Sequence, residues 1–370
     1  MSQESNLYIP GDVYSGMTFE SFRDGIRKRP AMYIGDVRQR GLHYMVDDVV
    51  ANSLDEVGSG YARTITAALK SDGSLMITDD GRGLPPVLDI ALKTPWFPDP
   101  RAARSDSAPT ERNVFAIAVA TALSEWMRLE TKFEGKSFVQ EYRAGLPLGP
   151  PIDVGESANA GISMTFMPDR EIFSETRLCS TLLRDRLQER ALLHSGVRIS
   201  FRDEATGTNE QFDFEDGIRA FVEQLNPGRM PLHDIALIRG EQCGIEFEVG
   251  IQFCRERDEI MRAYVNDRRC DVGTHLTGLR VALTQSLKRF ARTSGQSPNG
   301  SFKWSSANKG LTAVISIRME QPEFLGASRD KLRSPEVQQV LTSEVGKRMD
   351  EYFIANPDAA TAIIQAVLHE

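Results

Sequence analysis

The junction between a short apolar run, Leu75-Met76-Ile77-Thr78, and the turn Asp79-Asp80-Gly81-Arg82-Gly83-Leu84-Pro85 constrains the fold of this chain more than any other stretch. A glycine-X-glycine turn directly after a strand takes the backbone through a sharp reversal, because glycine alone enters positive φ without steric cost and leaves room for a flat ring against the main chain. Asp79, at the strand end, can accept a hydrogen bond from an exocyclic amine. Such a site selects adenine by direct contact, with Gly81, Arg82, Gly83, Leu84 and Pro85 as its rim.

A helix expected at residues 41 to 57 supplies the facing wall. Leu42, Met45, Val46, Val49, Val50 and Leu54 recur at helical spacing and bury one stripe, while Asp48, Asn52, Asp55 and Glu56 share a polar one. Asp48 and Asn52 therefore point the same way. A carboxylate one turn from an amide oxygen can orient a water and help hold Mg²⁺, an ion that keeps several waters and takes few protein ligands. A solvated helix face is the plain alternative. The DDGRGLP run that follows favours the functional reading.

The chain has 370 residues, 41% of them apolar and 26% charged, which is core enough for about two domains. No stretch approaches the roughly 20 continuous apolar residues of a membrane span, and the polar N-terminus MSQESNLYIPGD is unlike a signal peptide. A cytoplasmic protein without membrane attachment is expected. Cys179, Cys243, Cys254 and Cys270 show no C-x-x-C spacing and the five histidines do not cluster, so buried free thiols and no zinc site are expected. A net charge of −8 argues against generic coating of nucleic acid but not against a local basic patch. One candidate is an amphipathic helix with Leu276, Leu279, Leu283, Leu287 and Phe290 inside. Arg280, Lys288, Arg289 and Arg292 face out, and Lys303 follows a polar loop. Salt-dependent DNA contact and an ordinary solvated face are both open for it.

These residues, with three further stretches, resemble one family. Ile26-Arg27-Lys28-Arg29-Pro30-Ala31-Met32-Tyr33-Ile34-Gly35, the helix from Gly41 through Glu56, and the DDGRG run look like its opening segment, first ATP helix and adenine-binding turn. Asp271-Val272-Gly273-Thr274-His275-Leu276-Thr277-Gly278 and Ser328-Arg329-Asp330-Lys331-Leu332 are similar to its transducer segment and coupling loop. The family is the B subunits of bacterial type IIA topoisomerases, DNA gyrase and topoisomerase IV, within the GHKL ATPases. The resemblance implies an α/β (α+β) fold: a GHKL (Bergerat) ATP-binding sandwich followed by a βαβ transducer domain. It also implies ATP and Mg²⁺ as ligands and a homodimer. Asn52 matches the metal-binding asparagine, Asp79 the adenine-binding aspartate, and Arg82 with Glu56 the pair that closes the pocket wall.

Other positions depart from the family pattern. Asp48 stands where the family has a glutamate general base; one methylene shorter, it draws the carboxylate back by about 1.5 Å, a misplacement that can cost roughly a hundredfold in rate. The glycine-rich phosphate turn of the family is replaced by Thr110-Glu111-Arg112-Asn113-Val114-Phe115-Ala116-Ile117-Ala118. Valine and phenylalanine do not adopt positive φ cheaply, and Glu111 adds a repelling charge; Arg112 offers one flexible cation in place of a cradle. The glutamine and lysine that reach the γ-phosphate in the family become Ala327 and Arg329, and arginine is not equivalent to a compact ammonium. The threonine expected near adenine aligns with Ile162, and Ser163 substitutes for it only after a one-residue slip.

The expected organisation is an N-terminal arm at 1–17, an ATP-binding domain at 18–218 and a transducer-like domain at 219–370, with no counterpart of the family's TOPRIM cleavage domain. The arm, with Tyr8, Ile9 and Tyr14, is expected to cross a dimer, and residues 97 to 112 to form a lid loop. Three functions stay open: a degenerate paralogue acting through a topoisomerase subunit, DNA or another partner; an active ATP hydrolase; and a pocket adapted to another ligand or reaction.

Overall fold

The computed structural model describes residues 19–84, 111–296, 302–326 and 329–368. The expected arm, the lid up to residue 110, Pro85, Ala327 and Ser328 lie outside the described residues. The chain divides into two compact units, Met1–Asp213 and Phe214–Glu370.

The first unit begins with helices α1 (Phe19–Lys28), α2 (Ala31–Ile34) and α3 (Gln39–Gly58), followed by the hairpin β1 (Thr64–Leu69) and β2 (Leu75–Asp79). The hairpin closes because Gly73 takes φ +92° and the Asp72 carboxylate accepts from both the amide and the hydroxyl of Ser74. Next come α4 (Glu111–Ala122), β3 (Ser124–Phe133), β4 (Lys136–Arg143), β5 (Leu146–Pro147), β6 (Ile152–Glu156), β7 (Gly161–Pro168), α5 (Ser180–Leu193), β8 (Arg198–Asp203) and β9 (Thr208–Asp213). The sheet runs β5-β4-β3-β7-β2-β1-β8-β9, with β6 also on β4. It is mixed: β1 and β8 are parallel and the other pairs antiparallel.

Strand alternation gives this sheet one apolar face. Leu75 and Ile77 of β2 stand abreast of Phe166 and Met164 of β7, Met127 and Leu129 of β3, and Leu69 and Ala67 of β1. All of them are buried, and α3 lies against the same face with its Leu42, Met45, Val46, Val49, Val50 and Leu54 buried too. Asp79 ends this row, so an ionisable group sits at the margin of a hydrophobic layer. The opposite face carries Thr78, Ser163 and Glu130 side by side and stays half exposed.

The second unit comprises α6 (Ile218–Leu225), β10 (Ala236–Gln242), β11 (Ile245–Phe253), β12 (Ile260–Val265), β13 (Arg268–Arg269), β14 (Val272–Gly273), α7 (Thr274–Thr293), α8 (Trp304–Ala307), β15 (Leu311–Met319), β16 (Lys331–Leu332), α9 (Pro335–Ala355) and α10 (Pro357–Leu368). Its sheet runs β10-β11-β15-β12-β13. β12 and β15 are parallel with α7 in the crossover, a βαβ unit. Leu276, Leu279, Leu283 and Leu287 of α7 are buried beside Val337, Leu341, Val345 and Met349 of α9. The two helices touch at Gly278, where a Cβ would come 2.9 Å from the Gln338 carbonyl oxygen.

The cysteine expectation needs correcting in part. All four are free thiols, but only Cys254 and Cys270 are buried. Cys243 sits at φ +54° in the tight turn joining β10 to β11, and Cys179 precedes α5; neither position has a sheet or helix face to bury against. Among the described residues, no helix is long and apolar enough to cross a membrane.

Candidate functional site

Asp79 is 6% exposed, and each of its carboxylate oxygens has a protein donor. The Ser53 hydroxyl donates to Oδ2 at 2.6 Å and the Gly81 amide to Oδ1 at 3.0 Å. Burial raises its pKa above the usual aspartate value, as does the charge of Glu56, while Ser53, Gly81 and the Ile162 amide pull it back down. The result is a carboxylate held rigidly by donors at the edge of an apolar layer.

The turn after β2 is bolted to α3. Glu56 Oε2 accepts from the Arg82 amide at 3.1 Å and its Nε at 3.0 Å, and Oε1 accepts from Nη2 at 2.7 Å. Arg82 also lies over the Tyr61 ring, 4.0 Å from its centroid. Bonding to Glu56 raises the Arg82 pKa still further, so the guanidinium stays charged. Gly81 needs its lack of a side chain, since a Cβ would come 3.0 Å from Glu56 Cγ and 3.1 Å from Asp79 Oδ1. Leu84 is buried, and its amide and carbonyl both bond the Thr131 hydroxyl at 2.7 Å.

Asp48 and Asn52 stand one turn apart on α3, Asp48 half-buried and Asn52 4% exposed. Next to Asp48, Asp47 bonds Arg186 and, at 2.8 Å, Arg190, which ties α3 to α5. Ser163 is not brought to the site. Ile162 is the residue opposite Asp79, and Ser163, one step along β7, points to the other face and bonds Thr78 at 2.9 Å. The β2–β7 register runs without a slip, so period-two alternation decides the matter. Arg329 belongs to the second unit, on the turn closed by the Phe324–Leu332 bridge, with φ +55°.

Sequence reasoning missed Ser53 and Thr131. Ser53 lies on the apolar stripe of α3, one turn from Val49 and Val50 and fully buried, and a lone polar residue at such a position is the signal that could have marked it. Thr131 follows Leu129 at strand spacing, which marked an inward residue but not its partner far along the chain.

The segment expected to handle phosphate is helical. α4 is formed from Glu111 onward, Ile117 and Ala118 are buried in it, and the Phe115 ring lies 6.1 Å from that of Tyr33. From Phe115 on, backbone N–H groups fall within helical hydrogen bonding and are not free to wrap an anion.

On the second unit, Arg280, Lys288, Arg289 and Arg292 of α7 are exposed, as is Lys303 before α8. Arg289 pairs with Asp350 at 2.7 Å, and Arg280 lies over the Trp304 ring at 5.5 Å. Among the described residues no ion pair joins Lys288, Arg292 or Lys303. Likewise, no group of three His, Cys, Asp or Glu side chains is placed to hold a metal ion there.

The described architecture matches a solved structure, the 43K ATPase domain of Thermus thermophilus gyrase B in complex with an aminocoumarin. The sequences are 31% identical, the TM-score is 0.77, and the match covers 94% of this chain and 93% of that one. This chain belongs to the DNA gyrase B family. The family model for DNA gyrase B matches residues 217–370. The DNA gyrase B protein of Haloferax volcanii is 35% identical over 92% of this chain, and that of Thermotoga maritima 32% identical over 93%. The chain spans 56% and 57% of these two relatives, a little over half their length. Within the gyrase B family, it corresponds to the ATPase and transducer region.

Proposed function

We propose that this gyrase B-type chain retains the adenine-recognising half of a nucleotide site and has lost the phosphate-handling half. It binds adenine nucleotide weakly, turns over little or none, and acts through dimer and partner contacts. The observation that carries this reading is α4: helix occupies the residues where the family resemblance calls for a glycine-rich turn, and α4 contains no glycine. Phosphate binding at a helix start depends on free, closely approachable N–H groups. Asp79, by contrast, keeps the fixed acceptor that a 6-amino group needs.

In this reading residues 18–218 form the nucleotide domain and residues 219–370 the transducer. Asn52 would hold Mg²⁺, an ion that borrows few protein ligands. When bound, the ion would supply neutralisation of phosphate charge. Asp48, short by a methylene, is a weak general base, and Arg329 keeps only the charge of the coupling lysine. Partner contact runs through a homodimer, a topoisomerase subunit, or DNA held by Arg280, Lys288, Arg292 and Lys303, with Arg289 committed to Asp350. The protein works in the cytoplasm. Mg²⁺-dependent phosphate release from ATP is the direct test. We expect none above background; a steady rate abolished by Asp48→Ala overturns the reading in favour of an active hydrolase, which the intact Glu56–Arg82 frame favours.

A further inference from the structure

We propose that the groove between α7 and α9 is a self-association surface, on which a second copy of this chain docks about a twofold axis. The inference rests on the homodimer of the reading above and assigns it a face on the second unit. α7 and α9 run parallel and in step: Gly278 meets Gln338, the Ser286 hydroxyl donates to the Gly346 carbonyl at 3.0 Å, and Arg289 bonds Asp350 at 2.7 Å. The groove along them has a volume of about 680 Å³. At its floor is Gly346, near the middle of a 21-residue helix. Gly278 is demanded by packing, with a Cβ 2.9 Å from a carbonyl oxygen, but a Cβ on Gly346 would meet nothing closer than 3.7 Å. Alanine fits there and suits a helix better. The fold of one chain has no need of this glycine, and what it provides is the depression itself.

The lining suits its own copy. Gln285, Gln339 and Ser343 are exposed along it, and amides and hydroxyls both donate and accept, so each can pair with its like across a twofold axis. The charged residues of the lining are Arg289 and Lys347 against Asp350 and Glu351, which makes the groove neutral on a chain of net charge −8. Two copies repel least where each presents a neutral face, and such a face offers a nucleic-acid backbone no net attraction. Among the described residues Lys347 joins no ion pair, and Glu351 reaches Arg348 alone, at 3.7 Å on an exposed helix face, where pairing contributes little. An antiparallel approach of α9 to its copy, centred between Lys347 and Glu351, sets each lysine against the glutamate of the other chain. The same approach covers Ile354, which is 79% exposed, more than any other large apolar side chain among the described residues.

The experiment is sedimentation equilibrium of the full chain without nucleotide, over about 1 to 100 μM. A reversible equilibrium of monomer and dimer is expected. Lys347→Glu and Glu351→Lys each weaken it about tenfold or more by bringing like charges together, and the double exchange restores it to within about threefold. Thermal unfolding at the lowest concentration shows all three folded as the wild type. Gly346→Ala weakens the dimer several-fold while its thermal midpoint holds or rises; a midpoint that falls returns this glycine to internal packing and overturns the role of the groove. A dimer that Lys347→Glu leaves intact, or that the double exchange fails to restore, overturns this surface and leaves the homodimer standing on another. A chain that stays monomeric throughout overturns the homodimer and this inference with it.

Discussion

Gly83 takes φ +77°, and a Cβ on it would fall 2.2 Å from the Lys132 carbonyl oxygen, so this residue is fixed by backbone geometry alone. Gly83→Ala is expected to destabilise the protein by about 2 kcal/mol or more, combining the left-handed penalty with the overlap. A shift in the urea midpoint checks it; an unchanged midpoint would mean that the turn reshapes freely. Arg82→Ala strips Glu56 of both guanidinium hydrogen bonds at a site where its side chain is only 12% exposed. A loss of roughly 1–3 kcal/mol in the same assay is expected. At this scale the glycine turn and its acid were legible, because glycine and aspartate at a strand end have few other uses. The supporting contacts were not: a serine within the apolar stripe of α3 and a threonine on a distant strand acquire partners only when the sheet forms. Ser163 shows the converse, a residue one step from its aligned neighbour and on the wrong face.

At the scale of elements, periodicity carried most of the fold. The helix expected at residues 41–57 is α3, Gln39–Gly58, and the stripe of α7 is buried as its spacing required, with Phe290 only partly so. What spacing does not give is how helices are clamped together. Asp47 holds Arg186 and Arg190 of α5 from α3, with Arg190 only 5% exposed. Asp47→Ala removes the carboxylate that this buried guanidinium bonds and is expected to cost about 3 kcal/mol. If denaturant unfolding shows a change under 0.5 kcal/mol or so, within the ordinary range for surface positions, the clamp is not a fixed part of the unit. α4 is the element whose character most affects function, and its lack of glycine was already readable in the sequence.

For the whole molecule, each unit buries a histidine that resists protonation. Burial lowers the pKa of His43 in the first unit and of His275 in the second from 6.5 to about 4. The unfolded chain takes up these protons near pH 6.5 and the folded chain only near 4. Stability is therefore full above pH 6.5 and falls as pH drops from 6.5 to about 4, by up to roughly 1.4 kcal/mol per pH unit for each histidine. His233, also lowered by burial, adds to the same trend. Asp79, with its raised pKa, works in the opposite sense but is one group against several. Chemical unfolding at pH 7.5, 6 and 5 should show a declining midpoint, and a flat profile would contradict neutral burial of these rings.

The central claim, an adenine site without a phosphate cradle, is tested most directly by calorimetric titration of the protein with adenosine, ADP and a non-hydrolysable ATP analogue in Mg²⁺. All three are predicted to bind with similar, weak affinity, because α4 has no glycine and its amides from Phe115 on are taken up in helical hydrogen bonds, so added phosphates find no glycine-rich cradle. An analogue that binds a hundredfold or more tighter than adenosine would contradict the claim, and would mean that the phosphates are held by another set of groups.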